Sequence, residues 1–294
     1  MAFHLKLGED VAKGVRRIAI EQIDGALREA DDPQAQDAAP HALRKRCKKL
    51  RGLLRLVRGS FDDYAVEQRA LRDAARKLAV LREAGAHLET LSRLCARGSG
   101  LCPGPDFEQA RSWLQSQRDA AVRASRKQHC VREARSMLLA QRERITQWTL
   151  QEQGFDAIES GLVGNYRSAR RALAAACDAP SAHHLHELRK YVKYHRIHLD
   201  LLHKRWPRPL MAFVHEAEVL GEFLGDHHDI EVLLTTLGHG DAALSDASQR
   251  IAASVHPELV RLEHAAFCTA RRLLAEKPRC FGSRMRGYWN ADRR

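Results

Sequence analysis

The sequence predicts an all-α chain made of two pseudo-symmetric antiparallel four-helix bundles, and three observations carry that prediction. Apolar residues recur at three- and four-residue spacing along almost the whole length, as in helices with one buried face. Gly, Pro and Asp clusters interrupt this pattern only at intervals. Residues 41–56 then recur at 186–201 with half the positions identical.

The interruptions fall at Asp31-Asp32-Pro33, Gly59-Ser60, Gly98-Ser99-Gly100 with Pro103-Gly104-Pro105, Gly154, Asp178-Ala179-Pro180, Trp206-Pro207 and Gly238-His239-Gly240. About eight long helices with short connections are therefore expected, as suits antiparallel bundles. The repeat pairs His41 with His186, Leu43 with Leu188, Arg44 with Arg189, Lys45 with Lys190, Lys48 with Lys193, Arg51 with Arg196, Leu54 with Leu199 and Leu56 with Leu201. One residue out of that register, Leu78, Leu88, Thr90 and Leu91 pair with Leu224, Leu234, Thr236 and Leu237, and Glu83 falls opposite Asp229. Residues 8–150 are read as the first bundle, 151–278 as the second and 279–294 as a loose C-terminal tail.

Composition narrows the function. With 49 Lys and Arg against 37 Asp and Glu the formal charge is +12, and the pI near 9.7 points to an anionic partner. Seven cysteines without a C-x-x-C pair are read as reduced thiols. No hydrophobic signal core and no apolar run of roughly 20 residues occurs, so a cytoplasmic protein with no membrane partner is expected.

The repeated helices carry the chemistry. In the first, Leu43, Cys47, Leu50, Leu54 and Val57 form an apolar seam; Arg44, Lys48, Arg51, Arg55 and Arg58, each one residue further on, form a parallel cationic seam roughly 100° round the helix. His41 and Lys45 extend it. No acid occurs from 41 to 58, so the i,i+4 Glu–Lys pairs that neutralise an ordinary solvated face are missing. The second copy keeps Leu188, Val192, His195, Leu199 and Leu202 as seam and Arg189, Lys193 and Arg196 as cations, but Asp200 and His203 stand where Arg55 and Arg58 stand in the first. A single basic helix would be read as a solvated face. Two in matching positions are read as a site for a long flexible polyanion, with Arg offering paired donors and Lys a compact charge to successive phosphates. The His41 helix is expected to contribute more of the affinity.

These residues resemble the CHAD family, the conserved histidine α-helical domain. The resemblance runs from Phe3-x-Leu5, Val15-x-x-Ile18 and Glu21-Gln22 through the His41 motif, Leu71-Arg72-Asp73 and Leu81-Arg82, to His186-Glu187-Leu188-Arg189-Lys190 and Leu224-Gly225-Asp226-His227-His228-Asp229. It implies two four-helix bundles around a basic central cavity or channel that binds inorganic polyphosphate, with an association with polyphosphate granules. It also implies His41, Arg44, Lys45, Lys48, Arg51, Arg55, His186, Arg189, Lys190, Lys193 and Arg196 as anion contacts, joined by Tyr166, Arg167 and Arg170 of the preceding helix. Where the family has Arg-Asp, this chain has Arg82-Glu83.

Other chemistries were weighed on the same residues. Sixteen histidines invite a metal, particularly His183, His184, His186, His195, His198 and His203 around one helix and His227-His228-Asp229 in the next, yet His184 and His195 do not share a helical face and no cysteine spacing assists, so neither metal nor cofactor is expected. A metal-dependent phosphohydrolase is the enzymatic alternative, but Met1 to Asp10 shows no Glu-x-Glu-x-Lys signature and no Gly-rich phosphate loop or nucleophile elbow occurs. A non-catalytic binder is expected. Non-specific nucleic-acid binding is the closer competitor because it uses the same charges. Base stacking would need aromatic platforms, whereas aromatics make up 6% of the chain and Trp113, Trp148, Trp206 and Trp289 are dispersed. Docking of an acidic protein and the oligomeric state stay open.

Overall fold

The computed structural model describes residues 3–32, 39–96, 104–124, 127–240 and 242–291. Among them are eleven α-helices and no strand. They are α1 (Val11–Asp31), α2 (Ala39–Leu56), α3 (Tyr64–Lys77), α4 (Ala79–Ala96), α5 (Pro105–Ala124) and α6 (Lys127–Ile145), followed by α7 (Asp156–Asp178), α8 (Ala182–Leu202), α9 (Pro207–Gly238), α10 (Ala242–Leu273) and α11 (Pro278–Ala291). The turn residues Gly98 to Gly100, Pro33 and Pro103 lie outside the described residues, as do Arg293, Arg294 and the side chains of Arg82 and Glu83.

Local chemistry sets several helix starts. Asp10 caps α1, its carboxylate accepting from the Lys13 amide at 2.9 Å, and Ser181 caps α8 by accepting from the His184 amide at 3.2 Å. Pro207 opens α9, where its missing N–H is no loss. Breaks beyond the expected eight segments also occur. Leu78 separates α3 from α4, turning its amide back to the Ala75 carbonyl at 3.3 Å, although neither Gly nor Pro lies between 59 and 85. The second half has no such break: α9 runs unbroken for 32 residues.

Two hydrophobic cores form, and neither coincides with residues 8–150 or 151–278. The larger takes Ile18, Leu50, Leu71, Leu138, Leu162, Leu199, Leu220 and Phe281 from both halves of the chain. The smaller joins Leu91, Phe107 and Leu114 of α4 and α5 to Leu233, Leu237, Ile251 and Leu262 of α9 and α10. Each fully buried Leu or Ile stabilises the fold by about 1.5–3 kcal/mol relative to exposure.

Two expectations are corrected here. The stretch read as a loose tail is the helix α11, whose Phe281, Met285 and Trp289 are buried at i, i+4 and i+8. Cys47, Cys130, Cys177, Cys268 and Cys280 are free thiols, but Cys95 is disulfide-bonded. No helix among the described residues is long and apolar enough to cross a membrane.

Candidate anion-binding face

The two basic helices meet. On α2 the seam of Leu43, Cys47, Leu50, Leu54 and Val57 is buried throughout. That burial turns the next residue in each step toward the border of the core. His41, Lys45 and Lys48 are exposed, and Arg44, Arg51 and Arg55 are half-buried. Gly52 supplies the crossing with α8: Ile197 packs where a Cβ would stand, and His198 Nε2 lies 3.2 Å from the Gly52 carbonyl. Burial pushes His198 down to about 3, so the imidazole is neutral and its Nε2–H donates to that carbonyl. Gly161 of α7 allows an equally close approach, lying against the carbonyls of Arg55 and Leu56 at the end of α2.

Arg46 of α2 pairs with Glu29 at 2.5 Å, but Arg44, Arg51 and Arg55 of the cationic seam are positioned by uncharged partners. Arg51 Nε donates to Gln68 Oε1 at 3.0 Å, and Arg55 Nε donates to Asn165 Oδ1 at 3.1 Å. Arg44 reaches the Ala75 carbonyl at the end of α3, at 2.7 Å. The Arg55 guanidinium also lies 4.7 Å from the Tyr194 ring centroid and 5.3 Å from that of Tyr191, a cation–π cradle built by α8. Lys45, Arg51 and Arg55 form no ion pair with a described residue. The two arginines are thus held in place without losing their charge.

The corresponding positions of α8 are treated differently. Lys190 Nζ lies 2.6 Å from Glu187, Arg196 lies 3.4 Å from Glu218, and Asp200 replaces Arg55. Arg189 faces Asp229 at 3.7 Å, and Asp226 and Asp229 together hold Arg93 of α4 at 2.7 and 3.4 Å. The Asp226-His227-His228-Asp229 segment therefore fastens α9 to α4 and α8. The His228 ring lies tilted against that of His186, with centroids 4.8 Å apart. Burial first and Arg189 second push His228 down to about 4 and lower His186 from its ordinary value.

Helix α3 adds residues that sequence reasoning missed. Arg69 and Arg72 join Arg51, Arg55, Tyr64 and Tyr194 around a cleft of about 230 Å³. Their i,i+3 spacing on a helix after the basic one was the available signal. Three carried-over candidates fare unevenly. Tyr166 is corrected to a core residue: it is 1% exposed, stacks on Phe281 at 4.2 Å and donates its hydroxyl to the Glu276 carbonyl at 3.0 Å. Arg170 is committed to the Ala275 and Glu276 carbonyls. Arg167 is exposed and lines a separate groove with Arg58, on the other side of α7 from the Arg55–Asn165 bond. That groove, about 1020 Å³, is larger than the α3 cleft.

Among the described residues no three His, Cys, Asp or Glu side chains are placed to hold a metal ion. The description of the CHAD domain matches residues 17–238, three-quarters of the chain. The chain belongs to the CHAD domain family. Polyphosphate binding is a known property of that family. The fold is similar to the crystal structure of the CHAD domain from the plant Ricinus communis, with a TM-score of 0.66 at 16% identity over 94% of this chain and 95% of that one. It is also similar to PptA from Streptomyces chartreusis, with a TM-score of 0.65 at 18% identity over 89% of this chain and 98% of that one. No curated protein matches the chain. The helix α11 lies beyond the segment that the CHAD description matches.

Proposed function

We propose that this CHAD protein binds inorganic polyphosphate, without catalysis, along the α2 face and its junction with α3 and α8. The observation that carries the reading is the state of the α2 cations. Lys45, Arg51 and Arg55 stand in helical register, two of them oriented by neutral amides, and none of the three is neutralised by a described carboxylate. A row of uncompensated like charge costs free energy in the empty protein, and an anion laid along it removes that cost. Phosphates without bases suit the site, because the aromatic rings beside it are already covered by the Arg55 guanidinium. Candidate contacts are His41, Lys45, Lys48, Arg51 and Arg55, with Arg69 and Arg72, and His186, Lys190, Lys193 and Arg196 as weaker partners. Association with polyphosphate granules follows from the same affinity.

The test is competition between long-chain polyphosphate and duplex DNA at matched charge and physiological salt. Polyphosphate is expected to displace DNA, and the Lys45→Ala/Arg51→Ala/Arg55→Ala protein to lose polyphosphate while keeping its melting temperature. Equal affinity for the two polyanions would sink the preference. Affinity should also fall steeply with salt as counterions are released.

A further inference from the structure

A groove larger than the α2–α3 cleft lies apart from it, on another face of α7. Its floor is the stripe of α7 that contains Ser160, Gly164 and Arg167, its opposite wall is α11, and Arg58 enters from the end of α2. The two helices run antiparallel, since Arg286 pairs with Asp156 and Glu159 at 2.6 Å near one end while Tyr166 and Arg170 reach the Glu276 carbonyl near the other. Gly282 lets them approach, because a Cβ there would press on Val163.

Charge is distributed unevenly along this groove. At the Asp156 end Arg286 is outweighed by the carboxylates of Asp156 and Glu159, with Glu152 also on the lining, so that end is acidic. Toward the start of α11 stand Arg58, Arg167 and Arg279, none of which forms an ion pair with a described residue. Gly164 is the position that admits Arg58: a Cβ there would meet its guanidinium. Arg58 is also the last member of the α2 row, one turn beyond Arg55. The row therefore turns off the end of α2 and into the groove.

We propose that the α7–α11 groove is a second phosphate-binding subsite, in which Arg58, Arg167 and Arg279 take phosphoryl groups of a condensed phosphate. Planar, permanently charged guanidiniums suit phosphoryl oxygens bidentately. The ligand has two possible sources with the same chemistry: the continuation of a polyphosphate lying on the α2 row, or a separate short condensed phosphate. The continuation rests on the proposed function above; the separate ligand does not.

The experiment compares the wild-type chain, Arg167→Ala/Arg279→Ala, and Lys45→Ala/Arg51→Ala by calorimetric titration with tripolyphosphate and with long-chain polyphosphate. Arg167 and Arg279 are exposed, so the fold should survive; equal melting temperatures and recovery of binding in Arg167→Lys/Arg279→Lys check this. If the groove takes a separate short phosphate, the groove variant loses one tripolyphosphate per chain and the α2 variant keeps it. If the groove continues the α2 row, only long-chain affinity falls in the groove variant, roughly tenfold or more, and its salt slope becomes shallower by roughly 1.4 for two lost contacts. Unchanged stoichiometry, long-chain affinity and salt slope in the groove variant would overturn the subsite. Failure of the α2 variant to lose long-chain binding would instead overturn the proposed function and leave the groove result to be read on its own.

Discussion

Helices α2 and α8 begin from nearly the same sequence and use it in opposite ways. On α2 two seam cations are braced by amides, Arg51 by Gln68 and Arg55 by Asn165, with Arg46 off the seam paired to Glu29; on α8 the cations are braced by carboxylates, Lys190 by Glu187 and Arg196 by Glu218. An amide orients a guanidinium without cancelling its charge, whereas a carboxylate does both. Residue identity along a helix therefore says less about anion affinity than the partner each cation already has. The seams differ too. Leu50 and Leu53 of α2 correspond to His195 and His198 of α8, all four being buried.

The largest expected effect breaks the comparison on binding. Lys45→Ala/Arg51→Ala should weaken long-chain polyphosphate by about 100-fold, taking roughly tenfold for each charge-assisted contact. Lys190→Ala/Arg196→Ala should weaken it by less than about fivefold, since those charges are already compensated. Titrations giving equal losses for the two pairs would end the distinction.

Next comes acid stability. Burial pushes His195 down to about 4 and His198 down to about 3, so both are neutral in the fold and protonate freely once it opens. Their effect is absent above the ordinary histidine pKa near 6.5, and stability is lost as pH falls from there toward the folded values. At pH 5 each should cost about 2 kcal/mol. Denaturant unfolding at pH 7 and 5 checks this, and His195→Leu should flatten the dependence by copying Leu50. A profile unchanged by that substitution would assign the acid sensitivity elsewhere.

A smaller effect sharpens the charge argument. Glu187→Gln/Glu218→Gln keeps side-chain size while freeing Lys190 and Arg196, and should raise polyphosphate affinity about threefold to tenfold at low salt, vanishing near 1 M. The smallest expected effect concerns His186 and His228. Both titrate below the ordinary value because of burial and Arg189, and phosphate placed beside them would raise both. Affinity should therefore tighten a few-fold below pH 6.5 and stay level above it, with proton uptake measurable in buffers of different ionisation heat. His186→Asn/His228→Asn should abolish the uptake.

Much of the fold was legible because helical seams are written in spacing. The α2 seam from Leu43 to Val57 is buried as the three- and four-residue steps require, and the turns at Gly59, Gly154 and Ala179-Pro180 fall between helices. The break at Leu78 carries no Gly or Pro and was invisible. The helix α11 was read as a loose end although Phe281, Met285 and Trp289 have seam spacing, because Arg284, Arg286, Arg293 and Arg294 give the stretch a solvated composition. Tyr166 was misplaced for a related reason: it shares the stripe of Leu162 and Ala169, which marks the core. The candidate site was only half legible. Rows of Arg and Lys show in one dimension, but which of them meets a carboxylate from a distant helix, as Arg196 meets Glu218, depends on packing that spacing does not encode.

The aromatic stack of Tyr166 on Phe281, with His195 edge-on 5.6 Å from Phe281, makes α11 a stopper pressed into the side of the molecule from outside the CHAD-matching segment. Drawing the stopper would admit water to a neutral imidazole and a phenol at once. The second groove would lose one wall in the same movement, so the integrity of the interior and the shape of that surface rise and fall together through a helix held by three apolar side chains and the ion pairs of Arg286.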